Sequence, residues 1–480
     1  MKGNSRGRMA LSKKDTLKED LKRFPSTFEF ATSNLSRDRV ESLIKKLTDD
    51  RENTTKPDEE DLQIGNFLSY LYFLVKNHQK SLELLTESLR KNPDNIIANT
   101  NKARILLEHG EISDVDDIIT TLKELEQRED FETRKCHAKA DLAYAYSRSG
   151  PWYHQRAIEL YKEIVEVHPE EYAWQFGLGL TLLRQTNRFH SKTDDKHEEV
   201  VIEAIKSLLT VTKSEDTILR AAAYAELGRA LYIRKTNGYN KELPSELEQL
   251  GEKGCFSRAL KISPRDSFVL QVCGQYARYR NELDESEKLL RLSLKIKPTC
   301  HAYHHLALTL KRKVENAEGK IEKRRLRQDC RYEAHNKREK MKHYLRKMMK
   351  SPLVVSTHPG NELLINAVEL IDKAEELNSS TLNMQYDKGI IYRMLGLPEN
   401  AVEVFKQIIS NRKRLPNKTL LTIVYEQLGL CLLEISEATE TSPDKQAKYH
   451  KDGQAHLSYA VQLQSAIVAN DPLFKEAWNA

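Results

Sequence analysis

Apolar and polar residues along this chain follow the period of an α-helix, and the predicted helices come in pairs. The clearest pair is LSYLYFLVKNHQKSLELLTESLRKNP at residues 68–93, where a short polar turn separates two amphipathic helices. The same frame recurs in YDKGIIYRMLGLPENAVEVFKQI at residues 386–408. The shared positions are Leu68, Tyr72, Ser81, Leu85, Ser88 and Pro93 in the first stretch, and Gly389, Tyr392, Gly396, Ala401 and Phe405 in the second.

Weaker copies of this unit fill much of the remaining chain, at residues 142–169, 256–264 and 285–298. A helix-turn-helix unit of about 34 residues with these small and aromatic positions is typical of the tetratricopeptide repeat. Because one helix pair cannot bury its apolar face alone, successive pairs stack on one another. The sequence therefore predicts an all-α fold, a tetratricopeptide-repeat superhelix (α-solenoid), with function on its concave inner surface.

We predict four segments along the chain. An N-terminal helical segment at 1–60 precedes the main tetratricopeptide-repeat array at 61–312, and a C-terminal array occupies 351–480. Residues 313–350 contain no proline and a single glycine, Gly319, so they predict one long basic helix that bridges the two arrays.

Positive charge concentrates in this predicted bridging helix. The whole chain carries a net charge of only +6, whereas residues 320–350 hold 13 lysines and arginines against four acidic residues. A local cationic band in a nearly neutral chain favours an acidic partner such as nucleic acid, and Lys320 is one candidate contact. A solvated helix face or a nuclear-localisation signal is the alternative interpretation.

Other features limit the classes of function. Six cysteines lie far apart without a C-x-x-C pair, which favours reduced thiols over a disulfide framework or a zinc ribbon. The N-terminal residues lack the apolar core of a secretory signal, and no apolar run has the length of a membrane span. The phosphate-binding, nucleophile-elbow and zinc-protease motifs are absent from the sequence. We therefore expect a cytoplasmic binding protein without cofactor, metal or membrane association, and not an enzyme.

The stretch HAYHHLALTLKRK at residues 301–313 combines three histidines with three cations. Helical spacing predicts a packing face and, opposite it, a polar stripe that lines the groove. His301 and His305 have the i, i+4 spacing of a zinc pair, but no third ligand follows at motif spacing. An ordinary solvated face is the other alternative, and we favour an anion-binding face. The packing residues are Tyr303, Leu306, Ala307 and Leu310, and the stripe residues are His301, His304, His305, Lys311 and Arg312.

Four stretches resemble one known family, the interferon-induced proteins with tetratricopeptide repeats. FVLQVCGQYARYRNELDESEKLLRLSLKIKPTCHAYHHLALTLKRK at residues 268–313 is similar to the family's central segment. Residues 153–185, 66–85 and 21–30 resemble further segments of the same family. The resemblance implies an all-helical protein that binds single-stranded RNA by its 5′ end in a basic tunnel and discriminates foreign ends in antiviral defence.

The resemblance also implies particular site residues. Arg184 stands where the family has an RNA-contacting arginine, and His305 where it has a contacting histidine. Arg278 and Arg148 occupy positions that are cationic in the family, and Tyr144 replaces a tryptophan that stacks on a cap or a first base. The chain departs from the family pattern at Gln271, Val272, Leu306 and His154, where the family has arginine, tyrosine, glutamine and tyrosine.

The residues alone leave a second interpretation open for each position. Arg184 follows an apolar helix and would also be suited to interact with the dipole at its carboxyl end. At the level of function, an RNA-end-binding antiviral effector competes with a tetratricopeptide-repeat scaffold that binds other proteins or forms homo- or hetero-oligomers. Phosphate-dominated binding weakens steeply with salt, whereas binding through a hydrophobic groove responds much less.

Overall fold

The computed structural model describes residues 4–29, 35–52, 58–186, 195–317, 361–377, 382–410, 418–437 and 442–469. Within these ranges every regular element is helical, which confirms the predicted all-α tetratricopeptide-repeat fold. The described helices also include none that is long and apolar enough to cross a membrane. The chain divides into two compact units, Met1–Cys273 and Gly274–Ala480, and each has hydrophobic cores of its own.

Most helices of the first unit pack against a neighbour along the chain. Short 3₁₀ turns lie at Thr27–Glu29 and Pro151–Tyr153. The helices are α1 Asn4–Leu21, α2 Arg37–Glu52, α3 Asp58–Leu74, α4 His78–Lys91, α5 Ile96–His109, α6 Ile112–Glu126, α7 Phe131–Ser149, α8 His154–Val167, α9 Tyr172–Gln185, α10 Asp195–Val211, α11 Thr217–Asn237 and α12 Ser245–Ile262. Helix α1 instead packs against α5 and α6.

Helix α13, Ser267–Tyr279, crosses the division between the units. The second unit continues the same pairwise packing. Its helices are α14 Leu283–Ile296, α15 Cys300–Ala317, α16 Glu362–Leu377, α17 Leu382–Leu395, α18 Pro398–Ser410, α19 Lys418–Glu437 and α20 Pro443–Ala469. The predicted boundaries at 60, 312 and 350 stay a prediction, and most of the predicted bridging helix lies outside the described residues.

The predicted repeat frame is visible as a recurring contact between paired helices. In the first unit, the buried Ser81 hydroxyl donates to the carbonyl oxygen of Ser69 on the preceding helix at 2.7 Å. In the second unit, the Ser286 hydroxyl donates to the Gly274 carbonyl oxygen at the same distance and the same sequence separation. A small side chain at this position lets two helices approach closely, and its hydroxyl is satisfied without water.

The repeat at residues 386–408 shows why glycine or alanine occupies certain of its positions. A Cβ on Gly389 would lie 2.6 Å from Phe405 Cε1, so the ring of α18 occupies the space that a side chain on α17 would need. Gly396 follows the end of α17 with φ of 79°, a left-handed conformation that glycine adopts without strain. Ala401 and Phe405 are fully buried, as the repeat pattern predicts.

Candidate nucleic-acid interface

One face of α7 carries functional groups along its length. His137, Asp141, Tyr144 and Arg148 follow at spacings of three and four residues, which places them on one side of a helix. The Arg148 guanidinium lies over the Tyr144 ring, with 5.2 Å between Cζ and the ring centroid. The two residues that sequence similarity singled out on this helix are therefore in contact, and together they present a cation beside an aromatic plane.

Arg184, in the last turn of α9, lies beside this pair. Burial, and after it the charges of Arg148 and Arg229, lower the pKa of Arg184 to about 10. Its side chain is half-buried, and within the described ranges it makes no hydrogen bond or ion pair. The alternative in which Arg184 bonds to the carboxyl end of α9 therefore has no hydrogen bond to support it, and the guanidinium keeps its donors for another ligand.

Helix α2 brings two further cations that the sequence analysis missed. Arg39 and Lys46 are seven residues apart on α2 and so lie on one face of it. Burial, and then the charge of Arg148, lower the pKa of Lys46 to about 8, and the charges of Arg184 and Arg39 act in the same direction. The signal was present as a cationic face of α2, but only the fold shows that Lys46 lies near Arg148 of α7 and Arg184 of α9.

Helices α8 and α11 complete the site. Arg229 on α11 pairs with Glu226 at 2.9 Å, and the Glu226 side chain is only 2% exposed. Burial raises the pKa of Tyr161, whose phenol fits beside Gly177, where a Cβ would come within 2.6 Å of the ring. We call this assembly the unit 1 basic cluster: Arg39, Lys46, Tyr144, Arg148, Tyr161, Arg184 and Arg229.

The unit 1 basic cluster has more positive than negative charge. Asp50 lies near Lys46 and Arg148, Glu60 near Arg148, and Glu226 near Arg184, so three carboxylates oppose five cations. Like charges held together in a partly buried space are unfavourable until an anion joins them. The cluster is therefore suited to binding a multiply charged anion through forked guanidinium donors.

The second unit holds another predicted group of residues. Arg278 on α13 is 8% exposed, lies with its Cζ 4.6 Å from the centroid of the Tyr279 ring, and approaches His305 Nδ1 at 3.5 Å. Burial, and then the charge of Arg278, hold the pKa of His305 well below its usual range. His305 is therefore neutral near pH 7. The Arg278 Nε–H is buried and has no hydrogen-bond partner in the part of the chain that the structure describes.

The packing face of α15 is confirmed, because Leu306, Ala307 and Leu310 are fully buried and Tyr303 packs partly buried against the same core. The prediction that the polar stripe on the other side lines a groove stays a prediction, and the stripe is not exposed along its whole length. Lys311 is only 9% exposed.

The polar side of α15 instead divides between two neighbouring helices. Towards α17, His304 Nε2 lies 2.9 Å from Asp387 Oδ2. Towards α13 and the turn that follows it, Arg312 donates to Asn281 Oδ1 at 3.3 Å and His305 lies against Arg278. His301 alone of the three histidines is exposed. The stripe divides because helices on both sides of α15 pack against its polar edges.

Two further predictions from the sequence concern a metal site and the basic helix. Among the described residues, no group of three or more His, Cys, Asp or Glu side chains is placed to hold a metal ion. Lys320 and the rest of the basic segment at 320–350 lie outside the described residues.

Comparisons with known proteins agree with this architecture. The tetratricopeptide repeat family matches residues 142–189, which include the end of α7 and the whole of α8 and α9. The solved structure of the human IFIT1 dimer with PPP-AAAA is 14% identical, with a TM-score of 0.61, over 93% of this chain and 86% of that chain. The human IFIT1 dimer with m7Gppp-AAAA is also 14% identical, with a TM-score of 0.61, over 95% of this chain and 90% of that chain.

No curated protein matches the chain by sequence. A monomeric IFIT1 mutant with Gppp-AAAA gives a TM-score of 0.60 at 14% identity, over 93% of this chain and 87% of that chain. At this identity the likeness shows the fold alone. The chain thus has a tetratricopeptide-repeat fold similar to that of human IFIT1.

Proposed function

We propose that this protein binds single-stranded RNA by its 5′ end, with the terminal phosphates in the unit 1 basic cluster. One observation carries the proposal. Arg184 is half-buried beside Arg148 without a hydrogen bond or ion pair among the described residues, and its pKa is lowered to about 10 by burial and by neighbouring cations. A phosphate anion would satisfy its donors and remove the repulsion among the cations.

The chemistry of the cluster suits an RNA end. Arginine donates forked hydrogen bonds to phosphate oxygens, and Arg148 and Arg184 approach the same space from two helices. Tyr144 supplies an aromatic plane on which a first base or a cap can stack without regard to sequence. Unstacked ends are what RNA-binding proteins normally discriminate.

The pair of Arg278 and His305 would serve the same function in the second unit. Arg278 has a buried Nε–H that lacks a partner among the described residues, and a backbone phosphate or a base edge would satisfy it. Neutral His305 can donate or accept a hydrogen bond there without adding charge. His301, His304, Lys311 and Arg312 are proposed as weaker contributors, because His304 and Arg312 already make hydrogen bonds and Lys311 is buried.

Similarity of fold supports the proposal. The similar IFIT1 structures are titled as complexes with PPP-AAAA, Gppp-AAAA and m7Gppp-AAAA. We extend the proposal to an innate-immune, antiviral role in the cytoplasm, without enzymatic activity, and to assembly with other proteins through repeat surfaces as a homo- or hetero-oligomer.

The test is fluorescence anisotropy with one short RNA carrying a 5′-triphosphate, a cap or a 5′-hydroxyl, labelled at its 3′ end. We expect one 5′ end to bind at least about tenfold tighter than another, a difference of about 1.4 kcal/mol. Arg184→Glu should abolish that preference. The matched control is Arg156→Glu, because Arg156 is an exposed arginine of α8 that pairs with Glu159.

Absence of RNA binding at low salt, or equal effects of the two variants, would contradict the proposal. A tetratricopeptide-repeat scaffold that binds protein would then be favoured. Its specific support is the repeat match at 142–189 together with the exposed Trp152, whose side chain is 70% accessible in the turn between α7 and α8.

A further inference from the structure

Two histidines outside the unit 1 basic cluster meet at one edge of the first unit. His78 is the first residue of α4 and His109 is the last residue of α5, so each lies at the turn of its own helix pair. His78 Nδ1 and His109 Nε2 are 2.7 Å apart, although the two residues are 31 positions apart in the sequence. The contact therefore joins two successive helix pairs.

The two imidazole rings lie edge to edge, and the facing nitrogens point at each other. The ring planes differ by 18° and the ring centroids are 5.0 Å apart. This separation equals the 2.7 Å between the nitrogens plus about one ring radius on each side, so both nitrogens lie on the line between the centroids. In the neutral pair one proton lies between them, because each imidazole has one N–H donor and one acceptor. The pair thus aims two ring nitrogens along a single axis.

Neighbouring groups hold this arrangement. The Phe73 ring of α3 lies beside His78, with 4.9 Å between the ring centroids and 20° between the planes. Phe28 packs against Phe73 in turn, with 4.5 Å between the centroids. On the other side, Glu111 Oε1 lies 3.9 Å from His109 Nδ1, the nitrogen that faces away from His78. A carboxylate at that nitrogen favours the tautomer with its proton on Nδ1, which leaves the lone pair of Nε2 directed at His78.

We propose that His78 and His109 form a two-coordinate site for a monovalent d10 cation, with Cu(I) as the biological ion of that class. Such an ion takes two ligands on opposite sides, in line, and imidazole is a ligand that copper accepts. The ion takes the place of the proton between the two nitrogens. That proton moves to Nε2 of His78, so no net proton is released, and no electron is transferred because the copper stays Cu(I).

The geometry distinguishes between classes of ion. An imidazole nitrogen lies about 2 Å from a bound metal ion, so a linear site needs about 4 Å between its two nitrogens. The observed 2.7 Å must therefore open by about 1.3 Å, along the axis that the nitrogens already share. His109 is exposed at the end of α5, so its side chain has room to move outward. Zn²⁺ prefers a tetrahedron of four ligands, and the described residues contain no group of three or more His, Cys, Asp or Glu side chains that supplies them.

The site is separate from the proposed RNA site. None of the residues of the unit 1 basic cluster belongs to it, so Cu(I) binding and RNA binding succeed or fail independently. The ion joins the turns of two helix pairs that come together only in the folded chain. Cu(I) binding therefore stabilises the folded first unit by linkage.

The experiment measures competition between the full-length protein and the chromophoric chelator bicinchoninate for Cu(I), without oxygen. Exposed thiols are first blocked with N-ethylmaleimide, because cysteine is a preferred ligand of Cu(I). We expect His78→Ala and His109→Ala each to weaken Cu(I) binding at least tenfold. The matched control is His450→Ala, because His450 is an exposed histidine that hydrogen-bonds the Gln454 side chain and not a second imidazole.

Further measurements separate a metal site from an ordinary hydrogen bond. The X-ray absorption edge of the Cu(I)-loaded wild type should show the intense pre-edge transition of a linear two-coordinate ion. Cu(I) should raise the midpoint of thermal unfolding of wild type but not of His109→Gln, which keeps a hydrogen-bonding side chain, and circular dichroism checks that the variants fold.

Zn²⁺, tested against a zinc chelator, should bind wild type and His109→Ala equally, because two ligands in line do not suit it. Equal Cu(I) binding by wild type and His109→Ala would show that the pair is a hydrogen bond only. An absorption edge of three-coordinate or four-coordinate Cu(I), or a parallel loss of Zn²⁺ binding in His109→Ala, would also overturn the inference.

Discussion

At the scale of single residues, the polar face of α7 places a buried carboxyl group two turns from the Arg148 guanidinium. Asp141 is 7% exposed, and one of its oxygens accepts a hydrogen bond from Asn66 Nδ2 at 2.9 Å. Glu59 and His137 form a neighbouring pair with 3.0 Å between Oε1 and Nδ1. Burial raises the pKa of Asp141 to about 7, and the charge of Glu59 acts in the same direction. The carboxyl group therefore titrates near neutrality.

Replacing Asp141 with asparagine should remove this pH dependence. Because the folded-state pKa is raised from 3.8 to about 7, the contribution of Asp141 to stability is fully present below about pH 4 and is lost as pH rises through 7. As pH rises from 4 to 8, the free energy of unfolding of Asp141→Asn should therefore rise by about 4 kcal/mol relative to that of wild type. Urea denaturation at several pH values measures this difference.

Asp61 is the control, because its pKa is shifted in the opposite direction to that of Asp141. Arg51 hydrogen-bonds Asp61 and lowers its pKa to about 2, so the stability that Asp61 contributes is present above pH 3.8 and is lost as pH falls towards 2. Asp61→Asn should therefore be destabilised at pH 7 and should approach wild type in acid. If the two variants showed the same pH slope, the assignment for Asp141 would be wrong.

At this scale the sequence predicted part of the site. Tyr144, Arg148 and Arg184 were identified by similarity, and the structure brings them together. Lys46 and Arg39 were not, because only the tertiary fold brings the cations of α2 near Arg148 of α7 and Arg184 of α9. The chain departs from the family pattern at Val272 and Leu306, and the structure shows that both side chains are buried in apolar cores.

At the scale of elements, the helix pairs were predictable because the repeat pattern encodes their contacts. Gly389 with Phe405, and Ser81 with the carbonyl of Ser69, are contacts between positions that the pattern fixes. The packing of α1 was not predictable, because α1 docks on α6 about a hundred residues away, through buried Leu17 and Leu21 and through charged side chains. Its ion pairs are Lys13–Asp116, Arg23–Glu126 and Asp20–Lys123.

Gly389→Ala should destabilise the second unit. The added Cβ would meet the Phe405 ring at 2.6 Å, a distance that requires the ring or the helix to move. We expect a loss of about 1–3 kcal/mol in free energy of unfolding, the usual range for overpacking. Chemical denaturation of the variant measures it.

A double-mutant cycle with Phe405→Leu serves as the control. The smaller side chain should relieve the clash, so the double variant should be more stable than the sum of the two single changes implies. Additive effects would show that the close contact does not determine the cost.

The docking of α1 should depend on salt. Arg23 makes two hydrogen bonds to the Glu126 carboxylate, at 2.8 and 2.6 Å, and both side chains are partly solvated. Arg23→Glu should therefore lower stability by only about 0.5–1 kcal/mol at low salt. Adding Glu126→Arg should restore the pair in reversed order. Equal stabilities of all four proteins at low salt would show that the pair contributes nothing to docking.

At the scale of the whole molecule, positive charge is local. The chain has 77 lysines and arginines against 71 aspartates and glutamates, so its long-range field is weak for a protein of 480 residues. Many described surface cations are also paired, as Lys313 is with Asp284 and Glu287. Attraction of a nucleic acid must therefore come from particular clusters, and each cluster should be visible in the salt dependence of binding.

The slope of log K against log salt measures how many RNA phosphates the cations of the protein neutralise. For single strands, log K falls with log salt by about 0.7 for each phosphate that the protein neutralises. If the unit 1 basic cluster holds the 5′ end, Arg184→Gln should reduce the slope for a 5′-triphosphate RNA by about 0.7, and Arg156→Gln should leave it unchanged. With a 5′-hydroxyl RNA, Arg184→Gln should change the slope less, because the terminal phosphates are missing. Equal changes for both RNAs would mean that Arg184 contacts the RNA backbone at large, and the cluster would then not recognise the end.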